Sequence, residues 1–325
     1  MQPRKLGTSG LSVGAIGLGC MGMSHGYGSG DDAESIATIH RALDRGVTLL
    51  DTAEVYGPYR NEELVGKALR GRRAGVVIAT KFGFRIKDGK TDGTDGTPQN
   101  AKKVAHESLK RLGVEAIDLY YLHRKDPAVP IEETVGAMKD LVQAGLVRYL
   151  GLSEVGSDTL KRAHRVHPIA ALQSEYSLWE RGIEANILPT LRQLGIGLVP
   201  FSPLGRGFLT GTFKGVEQLS SDDIRRNLPR FDAANAAAND GLLVAGRDIA
   251  ARHGITAAQV ALAWVLAQGD DVVPIPGTRR RTYLDQNIDA LEVRLTEQDL
   301  SQLDSLAARV SGERYSGQMA RLVER

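Results

Sequence analysis

The chain has 325 residues and nearly balanced charge, with 41 Lys and Arg against 39 Asp and Glu. This balance leaves no strongly basic surface, so it argues against nucleic acid as the main partner. An apolar content of 42% excludes wholesale disorder. The length allows two medium domains or one large α/β barrel. A single cysteine, Cys20, and the lack of a long apolar run predict a soluble cytoplasmic protein without a membrane segment.

Short apolar segments alternate along the chain with segments of helical periodicity. Eight such rounds without a change in composition favour a parallel sheet closed into a (β/α)8 TIM barrel over an open doubly wound sheet. Residues 1–325 are then one barrel domain. The predicted strands are Val13–Leu18, Val47–Leu50, Val76–Thr80, Ile117–Leu122, Arg148–Gly151, Ala170–Gln173, Ile196–Pro200 and Val272–Ile275. The predicted helices are Asp31–Arg45, Asn61–Arg70, Pro98–Leu112, Ile131–Ala144, Ser157–His167, Glu184–Leu194 and Gly241–Gln268.

Four further segments lie outside this alternation. Arg4–Leu11 contains two glycines and predicts an N-terminal β-hairpin that caps the bottom of the barrel. Arg281–Ala290 and Glu297–Arg309 predict extra C-terminal helices. Gly205–Asn239 has no clear period, and a connection of this length is typical of a functional lid or a disordered segment.

A glycine motif, Gly17-Leu-Gly-Cys-Met-Gly22, has the spacing of a dinucleotide-binding fold. That fold requires a helix directly after the motif, with the pyrophosphate at its N-terminus. The segment Met23–Gly30 contains three glycines and is not helical in pattern. The motif therefore favours a loop at the barrel mouth where backbones approach closely, and a Rossmann dehydrogenase is the less favoured alternative.

Ionisable side chains follow three neighbouring predicted strands. Asp51 and Tyr56 come after the second strand, Lys81 after the third and His123 after the fourth. Each alone fits a structural role better than a catalytic one. Because all strands of a barrel end on one face, where active sites lie, the four are expected to converge there.

The four side chains together suit proton transfer to an oxygen atom. A Lys81 ammonium about 4 Å from the Tyr56 hydroxyl favours tyrosinate by ~4 kcal/mol, or about three pKa units at most, since burial opposes it. Tyr56 would then donate a proton near neutral pH. Asp51 would hold the lysine, and a neutral His123 would orient a carbonyl oxygen. Carbonyl reduction also needs a hydride, which a nicotinamide cofactor carries.

These segments resemble the aldo-keto reductase superfamily, in its bacterial and plant branch with auxin-induced-like and perakine-type reductases. The match runs in order from residue 4 to about residue 290. The motifs that carry it are Asp51-Thr-Ala-Glu-Val-Tyr56-Gly, Asn61-Glu-Glu-Leu-Val-Gly-Lys-Ala-Leu69, Ile78-Ala-Thr-Lys81, Asp118-Leu-Tyr-Tyr-Leu-His123, Gly151-Leu-Ser153, Gln173-Ser-Glu-Tyr176, Phe201-Ser-Pro-Leu-Gly-Arg-Gly207 and Ile275-Pro-Gly-Thr-Arg279.

The resemblance implies an NADPH-dependent oxidoreductase that reduces aldehydes or ketones, with Tyr56 as proton donor and no metal. It implies that Ser153 and Gln173 hold the nicotinamide carboxamide and that Phe201 stacks on the ring. The cations of Arg279-Arg-Arg281 would suit a 2′-phosphate. The remaining implied cofactor residues are Ser202, Leu204, Gly205, Arg206 and Gly207 at the pyrophosphate, and Gly277, Thr278, Arg279, Gln286 and Asn287 at the adenine and its ribose.

Three positions depart from the family pattern. Glu154 stands where many members have Asn, and a carboxylate cannot donate as an amide can, so only a weak cofactor contact is expected. Phe201 replaces a frequent tyrosine, and Tyr283 stands where some branches have arginine. An alternative of another class is an NADPH-binding sensor similar to the potassium-channel β subunits, with slow turnover. The physiological carbonyl substrate and the oligomeric state are not predicted.

Overall fold

A computed structural model describes residues 1–28, 30–307 and 310–324. Its centre is a parallel sheet whose seven strands neighbour one another in chain order. The strand segments are largely buried on both faces, which explains why they are continuous apolar runs. The strands of this sheet are β3 (Leu18–Gly19), β4 (Leu49–Asp51), β5 (Val77–Phe82), β8 (Ile117–Leu122), β9 (Val147–Ser153), β10 (Ile169–Glu175) and β11 (Gly197–Phe201).

Residues 272–277 close the sheet into a barrel. They bridge β11 on one side and β3 on the other, in parallel. Val273 N donates to Leu198 O at 2.9 Å, and Gly17 N donates to Pro274 O at 2.9 Å. Pro274 and Pro276 lack the N–H groups that a regular ladder needs, so this eighth predicted strand is present as bridges rather than a full strand. The fold is a (β/α)8 barrel, as predicted.

The predicted N-terminal hairpin is confirmed, with strands β1 (Pro3–Lys5) and β2 (Ser12–Gly14) paired antiparallel. Leu6 in its turn is fully buried and packs against Gly197 at the start of β11, so the hairpin closes the bottom of the barrel. The prediction of one strand over Val13–Leu18 was wrong, since Val13 belongs to the hairpin and the barrel strand begins at Leu18.

Helices surround the sheet and follow its strands as predicted. Their ends obey local capping rules: the Asp31 side chain accepts two N–H groups of the first helix, and Gly113 and Gly195 end helices in the left-handed conformation. The helices are α1 (Asp32–Asp44), α2 (Arg60–Ala68), α3 (Pro98–Leu112), α4 (Ile131–Gln143), α5 (Ser157–Val166), α6 (Ile187–Leu194), α7 (Ala233–Ala238), α8 (Asp240–His253), α9 (Ala257–Leu266), α10 (Arg281–Asp289), α11 (Glu297–Ala307) and α12 (Gly317–Arg321). The predicted end of α11 at Arg309 lies outside the described residues.

The prediction of a single helix over Gly241–Gln268 is wrong. This segment contains two helices, α8 and α9, which meet at a bend of 94°. Gly254 ends α8 with φ of 65°, and Thr256 begins α9 in a reciprocal capping box with Gln259. Within the described residues no single helix has the length and apolarity to cross a membrane, and this bent pair alone meets those criteria.

Three segments cover the mouth of the barrel, where the strands end. A hairpin of β6 (Phe84–Lys87) and β7 (Lys90–Thr94), which the sequence analysis missed, extends from β5. The long segment Gly205–Asn239 forms four short 3-10 turns and α7, and it lies across the mouth with Ile224 N bonded to Gly26 O. The C-terminal segment, residues 310–324, is the third.

Candidate active site

The predicted proton-donating group is assembled at the ends of β4 and β5. The Lys81 ammonium donates to Asp51 Oδ1 at 2.5 Å, to Thr52 O at 2.7 Å and to the Tyr56 hydroxyl at 3.3 Å. Lys81 is 0% exposed and Asp51 3% exposed. Burial acts to lower the pKa of Lys81, but Asp51 and Tyr56 outweigh it and raise this pKa above its usual value. The lysine is therefore a buried cation held by three oxygens.

The loop that carries Tyr56 is fixed by hydrogen bonds to its neighbours. Thr52 N donates to Ala79 O at 2.8 Å, which continues the sheet pattern past the end of β4. The Thr52 hydroxyl donates to the Asn61 side chain, whose amide nitrogen donates to Cys20 O at 2.9 Å. These bonds join the loop to the start of α2 and to the end of β3, so Tyr56 is held against Lys81.

The predicted direction of the Tyr56 pKa shift is wrong. Burial raises the pKa of Tyr56, and this effect exceeds the lowering by Lys81. The hydroxyl is in contact with the ammonium, as expected, but desolvation of the tyrosinate dominates. Tyr56 is therefore protonated at neutral pH, and the cation serves to stabilise the anion that forms when the proton leaves.

His123 lies edge-on to Tyr56, with ring centroids 5.7 Å apart. Burial, together with Lys81 and Arg124, lowers its pKa well below the usual value, so the imidazole is neutral, as predicted. Its Nδ1 is buried with no hydrogen-bond partner among the described residues. Arg124 was missed from sequence although it follows His123 directly. It donates to His123 O at 2.6 Å and to Ser153 Oγ at 3.1 Å.

A cavity of about 1080 Å³ opens above this group, larger than the ~300–1,000 Å³ of typical small-molecule sites. All but two of the predicted site residues line it. Lys81 lies behind Tyr56, and Gly205 lies behind the wall, where an added Cβ would come within 2.7 Å of Trp179. The predicted residues on the wall are Asp51, Tyr56, His123, Ser153, Gln173, Phe201, Ser202, Leu204, Arg206, Gly207, Gly277, Thr278, Arg279, Gln286 and Asn287.

Gln173 and Ser153, on the wall, form hydrogen bonds with other side chains of the protein. Gln173 donates its amide nitrogen to Asp51 Oδ2 at 2.7 Å, which fixes the carboxylate from the side opposite Lys81. Ser153 Oγ accepts from Arg124. Both side chains face the cavity beside the Tyr56 hydroxyl, where hydrogen-bonding groups suit a carboxamide.

Several cations also line the cavity. Arg206 and Arg225 lie on the segment across the mouth, and Arg279 and Arg280 lie at the start of α10. Arg225 was missed because the sequence of its segment has no clear period. Arg281 is not on the wall and pairs instead with Glu34 at 3.1 Å, so the expectation that all three consecutive arginines serve a phosphate is wrong. A wall that carries both amide side chains and guanidinium groups fits a dinucleotide with phosphates.

The glycine motif at residues 17–22 does not begin a nucleotide-binding helix. A 3-10 turn, Met21–Met23, overlaps the end of the motif, and the next helix among the described residues, α1, begins at Asp32. An added Cβ on Gly17 or Gly19 would come within 2.8 or 2.9 Å of Ile275, respectively. The motif therefore permits the close approach of β3 to residues 272–277, and the barrel topology rules out the Rossmann alternative.

Glu154 does not face the cavity. Its Oε1 accepts from Glu175 N at 2.8 Å, and its Oε2 accepts from Arg314 at 2.6 Å. The expected weak cofactor contact through its carboxylate is therefore wrong. Cys20 is fully buried, and burial raises its pKa to about 12, so it has no activated thiolate.

The site geometry agrees with the comparison of the sequence with known families. Residues 15–308 match the profile described as the Aldo/keto reductase family. The chain belongs to this family, which places it among oxidoreductases that act on carbonyl compounds with a nicotinamide cofactor.

Similar proteins extend over nearly the whole chain. A Glycine max protein named probable aldo-keto reductase 1 is 48% identical over 320 residues, which cover 97% of this chain and 92% of that protein. A glycerol dehydrogenase from Gluconobacter oxydans has a TM-score of 0.84 and 29% identity over 97% of this chain and 98% of its own. A thermostable aldo-keto reductase in complex with the inhibitor epalrestat has a TM-score of 0.74 and 31% identity, covering 94% of this chain and 100% of its own.

Proposed function

We propose that the protein is an NADPH-dependent aldehyde or ketone reductase in which Tyr56 is the proton donor. The observation that carries this proposal is the contact of the Tyr56 hydroxyl with the buried Lys81 ammonium at 3.3 Å, at the wall of a large cavity. The nicotinamide, when bound, supplies a hydride to the carbonyl carbon. The Tyr56 hydroxyl gives its proton to the carbonyl oxygen, which becomes the alcohol.

The neighbours of Tyr56 have distinct roles in this proposal. Lys81 stabilises the tyrosinate left behind, and Asp51 keeps the lysine charged and in place. Neutral His123 donates a hydrogen bond that orients the carbonyl oxygen toward Tyr56. Ser153 and Gln173 hold the carboxamide of the cofactor, and Phe201 packs against its ring.

The test is steady-state turnover with NADPH and a panel of aromatic aldehydes, followed by cofactor absorbance. Wild-type protein should reduce members of the panel, and Tyr56→Phe should lower kcat by about 10²–10⁴-fold, the usual contribution of general acid catalysis. Absence of turnover with every aldehyde, or unchanged kcat in Tyr56→Phe, would contradict the proposal. Tight NADPH binding with negligible turnover would instead favour the sensor alternative, for which we find no specific support.

We propose further that Arg279 and Arg280 select NADPH over NADH. Both line the cavity, whereas Arg281 is paired with Glu34 outside it. Arg279→Gln should raise the KM for NADPH about tenfold or more, as expected for loss of a charge-assisted hydrogen bond, and leave the KM for NADH nearly unchanged. Arg281→Gln is the matched control and should change neither value. Equal effects of both variants would refute this assignment.

We also propose that the chain is a single functional domain, that it is located in the cytoplasm and that its partner is a small molecule. The N-terminal hairpin and the C-terminal segment both pack on the barrel, which supports one domain over residues 1–325. The free, buried Cys20 is consistent with a location in the reducing cytoplasm. The partner that we propose is a small carbonyl compound.

A further inference from the structure

Six charged side chains form a buried ionic cluster beside the candidate active site. Three are carboxylates and three are guanidinium groups, so their formal charges cancel. Burial of each group is tolerable only because its partners are close. The carboxylates are Glu154, Glu175 and Glu180, and the cations are Arg206, Arg230 and Arg314.

Arg314 is the centre of the ionic cluster. Its guanidinium donates to Glu154 Oε2 at 2.6 Å and to Glu175 Oε2 at 3.1 Å, and it lies 3.7 Å from Glu180. Its side chain is 5% exposed and that of Glu154 is 1% exposed. Since Glu154 also accepts Glu175 N, each of its oxygens has a donor. Glu154 is thus committed to the cluster.

The cluster joins the C-terminal segment to β9 and the loop after it. Glu324 N donates to Glu154 O at 3.0 Å, and the Glu324 carboxylate accepts Gly156 N at 2.9 Å. Lys125 pairs with the same carboxylate at 3.0 Å. Residue 154 therefore holds the C-terminal segment at two points, through its side chain at Arg314 and through its carbonyl at Glu324.

The part of the C-terminal segment between these points forms one wall of the cavity. Tyr315, Ser316 and Met319 line it. The Tyr315 hydroxyl accepts from Arg206 at 2.9 Å, and its ring lies 5.6 Å from the Arg206 guanidinium and 5.2 Å from that of Arg314. The ionic cluster therefore fixes the position of this ring as well as the course of the backbone.

We propose that Glu154 and Arg314 are positioning residues that hold Tyr315 and Met319 as a wall of the substrate pocket, and so favour aryl carbonyl substrates. An aromatic ring and a thioether pack well against an aryl group, whereas a short aliphatic aldehyde offers little surface for such contact. The inference rests on the proposed reductase function. It assigns Glu154 to substrate selection and separates it from cofactor binding and proton transfer.

The test compares an aryl aldehyde, 2-naphthaldehyde, with a small one, propanal. In Glu154→Gln and Arg314→Met, the KM for 2-naphthaldehyde should rise about five- to tenfold, the size of a lost aromatic contact. The KM for propanal and both kcat values should change less than about twofold, because Lys81 and Tyr56 are untouched. The Kd for NADPH should also change less than about twofold, because Arg206 keeps Glu175 as its ion-pair partner. Arg162→Gln, which removes an exposed pair with Glu132, is the matched control and should change nothing.

Other outcomes would overturn the inference. It would be refuted if the KM rose equally for both aldehydes or if the ratio of the two KM values stayed at its wild-type value. A change confined to the Kd for NADPH would also refute it. If a cluster variant fails to fold, Tyr315→Ala removes the wall alone and should reproduce the selective loss. Wild-type protein that reduces neither aldehyde would refute the proposed function itself.

Hydrogen exchange of the C-terminal amides tests the anchoring role independently of catalysis. Glu154→Gln and Arg314→Met should speed exchange in residues 313–324 by about tenfold or more, since the side-chain anchor at Arg314 is weakened, while the strand amides keep their protection. Unchanged exchange in the C-terminal segment would overturn the positioning role whether or not the protein reduces aldehydes.

Discussion

Two buried ionic groups lie at the mouth of the barrel, and they differ in how their charges are shared. The group at Tyr56 has one cation, Lys81, and one carboxylate, Asp51, with the hydroxyl as a third member. The ionic cluster around Arg314 has three cations and three carboxylates. The first group lies on β4, β5 and the loop after β4. The second joins the ends of β9 and β10 to the segment across the mouth and to the C-terminal segment.

This difference indicates what each group can do. In the small group the ammonium has a weak third partner, the neutral hydroxyl, so it can stabilise a new anion there. In the ionic cluster every carboxylate has a full positive partner; burial acts to raise the pKa of Glu175, but Arg314, Arg206 and Arg230 outweigh it and lower this pKa. The small group therefore suits proton transfer, and the cluster suits fixed structure.

The largest expected effect on stability is that of Lys81→Met. Removal of the cation that pairs with Asp51 leaves a buried carboxylate without an ion-pair partner among the described residues, so the free energy of unfolding should fall by about 3–5 kcal/mol in urea titrations. The double variant Asp51→Asn/Lys81→Met should regain most of this loss. Arg206→Met should cost less, about 1–3 kcal/mol, since Glu175 keeps Arg314 as a partner. A greater loss in Arg206→Met would reverse the comparison.

Glu54 provides a third case, a buried carboxyl group with one oxygen that has no hydrogen-bond partner in the described part of the chain. Burial, followed by the charge of Glu62, raises its pKa from 4.5 to about 8. The unfolded chain ionises above 4.5 while the folded protein does not, so this group lowers stability as pH rises from 4.5 to 8. Glu54→Gln should remove this loss. The free energy of unfolding of the variant, relative to that of the wild type, should be about 2–4 kcal/mol higher at pH 8 than at pH 5. Parallel pH dependence in urea titrations of both proteins would contradict this prediction.

The pH profile of kcat/KM tests the protonation states of the small group. The pKa of His123 is lowered well below 6.5, and that of Tyr56 is raised above 10.0. Neither group changes protonation near neutrality, so kcat/KM should vary less than about twofold between pH 6 and 8. An acid limb near pH 6.5 that disappears in His123→Gln would show that the imidazole is not held neutral.

The smallest effect is expected for the exposed pair between Arg162 and Glu132. Its two hydrogen bonds of 2.7 Å resemble those in the buried groups, but solvent screens them. Arg162→Gln should leave the urea midpoint unchanged within error. A measurable loss would indicate that hydrogen-bond geometry, rather than burial, determines the worth of an ion pair here.

The sequence predicted the parts of the molecule that local rules determine. Alternating strand and helix patterns predicted the barrel, and strand ends placed Asp51, Lys81 and His123 together on one face. Each of these follows a continuous apolar run, so its position relative to the barrel is set within a few residues. The break at Gly254 was also encoded locally, in a glycine followed by a capping box, although the analysis missed it.

The remainder depends on contacts between distant parts of the chain. Arg314 meets Glu154 across 160 positions, and no local pattern in either segment indicates this pairing. The direction of the Tyr56 pKa shift was wrong because the size of a desolvation effect depends on all surrounding atoms. Arg225 was missed because its segment gains order only by packing across the mouth.

The most direct test of the account is the kcat of Lys81→Met, measured with saturating NADPH and benzaldehyde beside the Kd for NADPH. If the buried ammonium stabilises the tyrosinate that forms when Tyr56 gives up its proton, kcat should fall about 10²–10⁴-fold while the Kd changes less than about threefold. A variant that folds, binds NADPH and keeps a kcat within about twofold of the wild-type value would contradict the central claim.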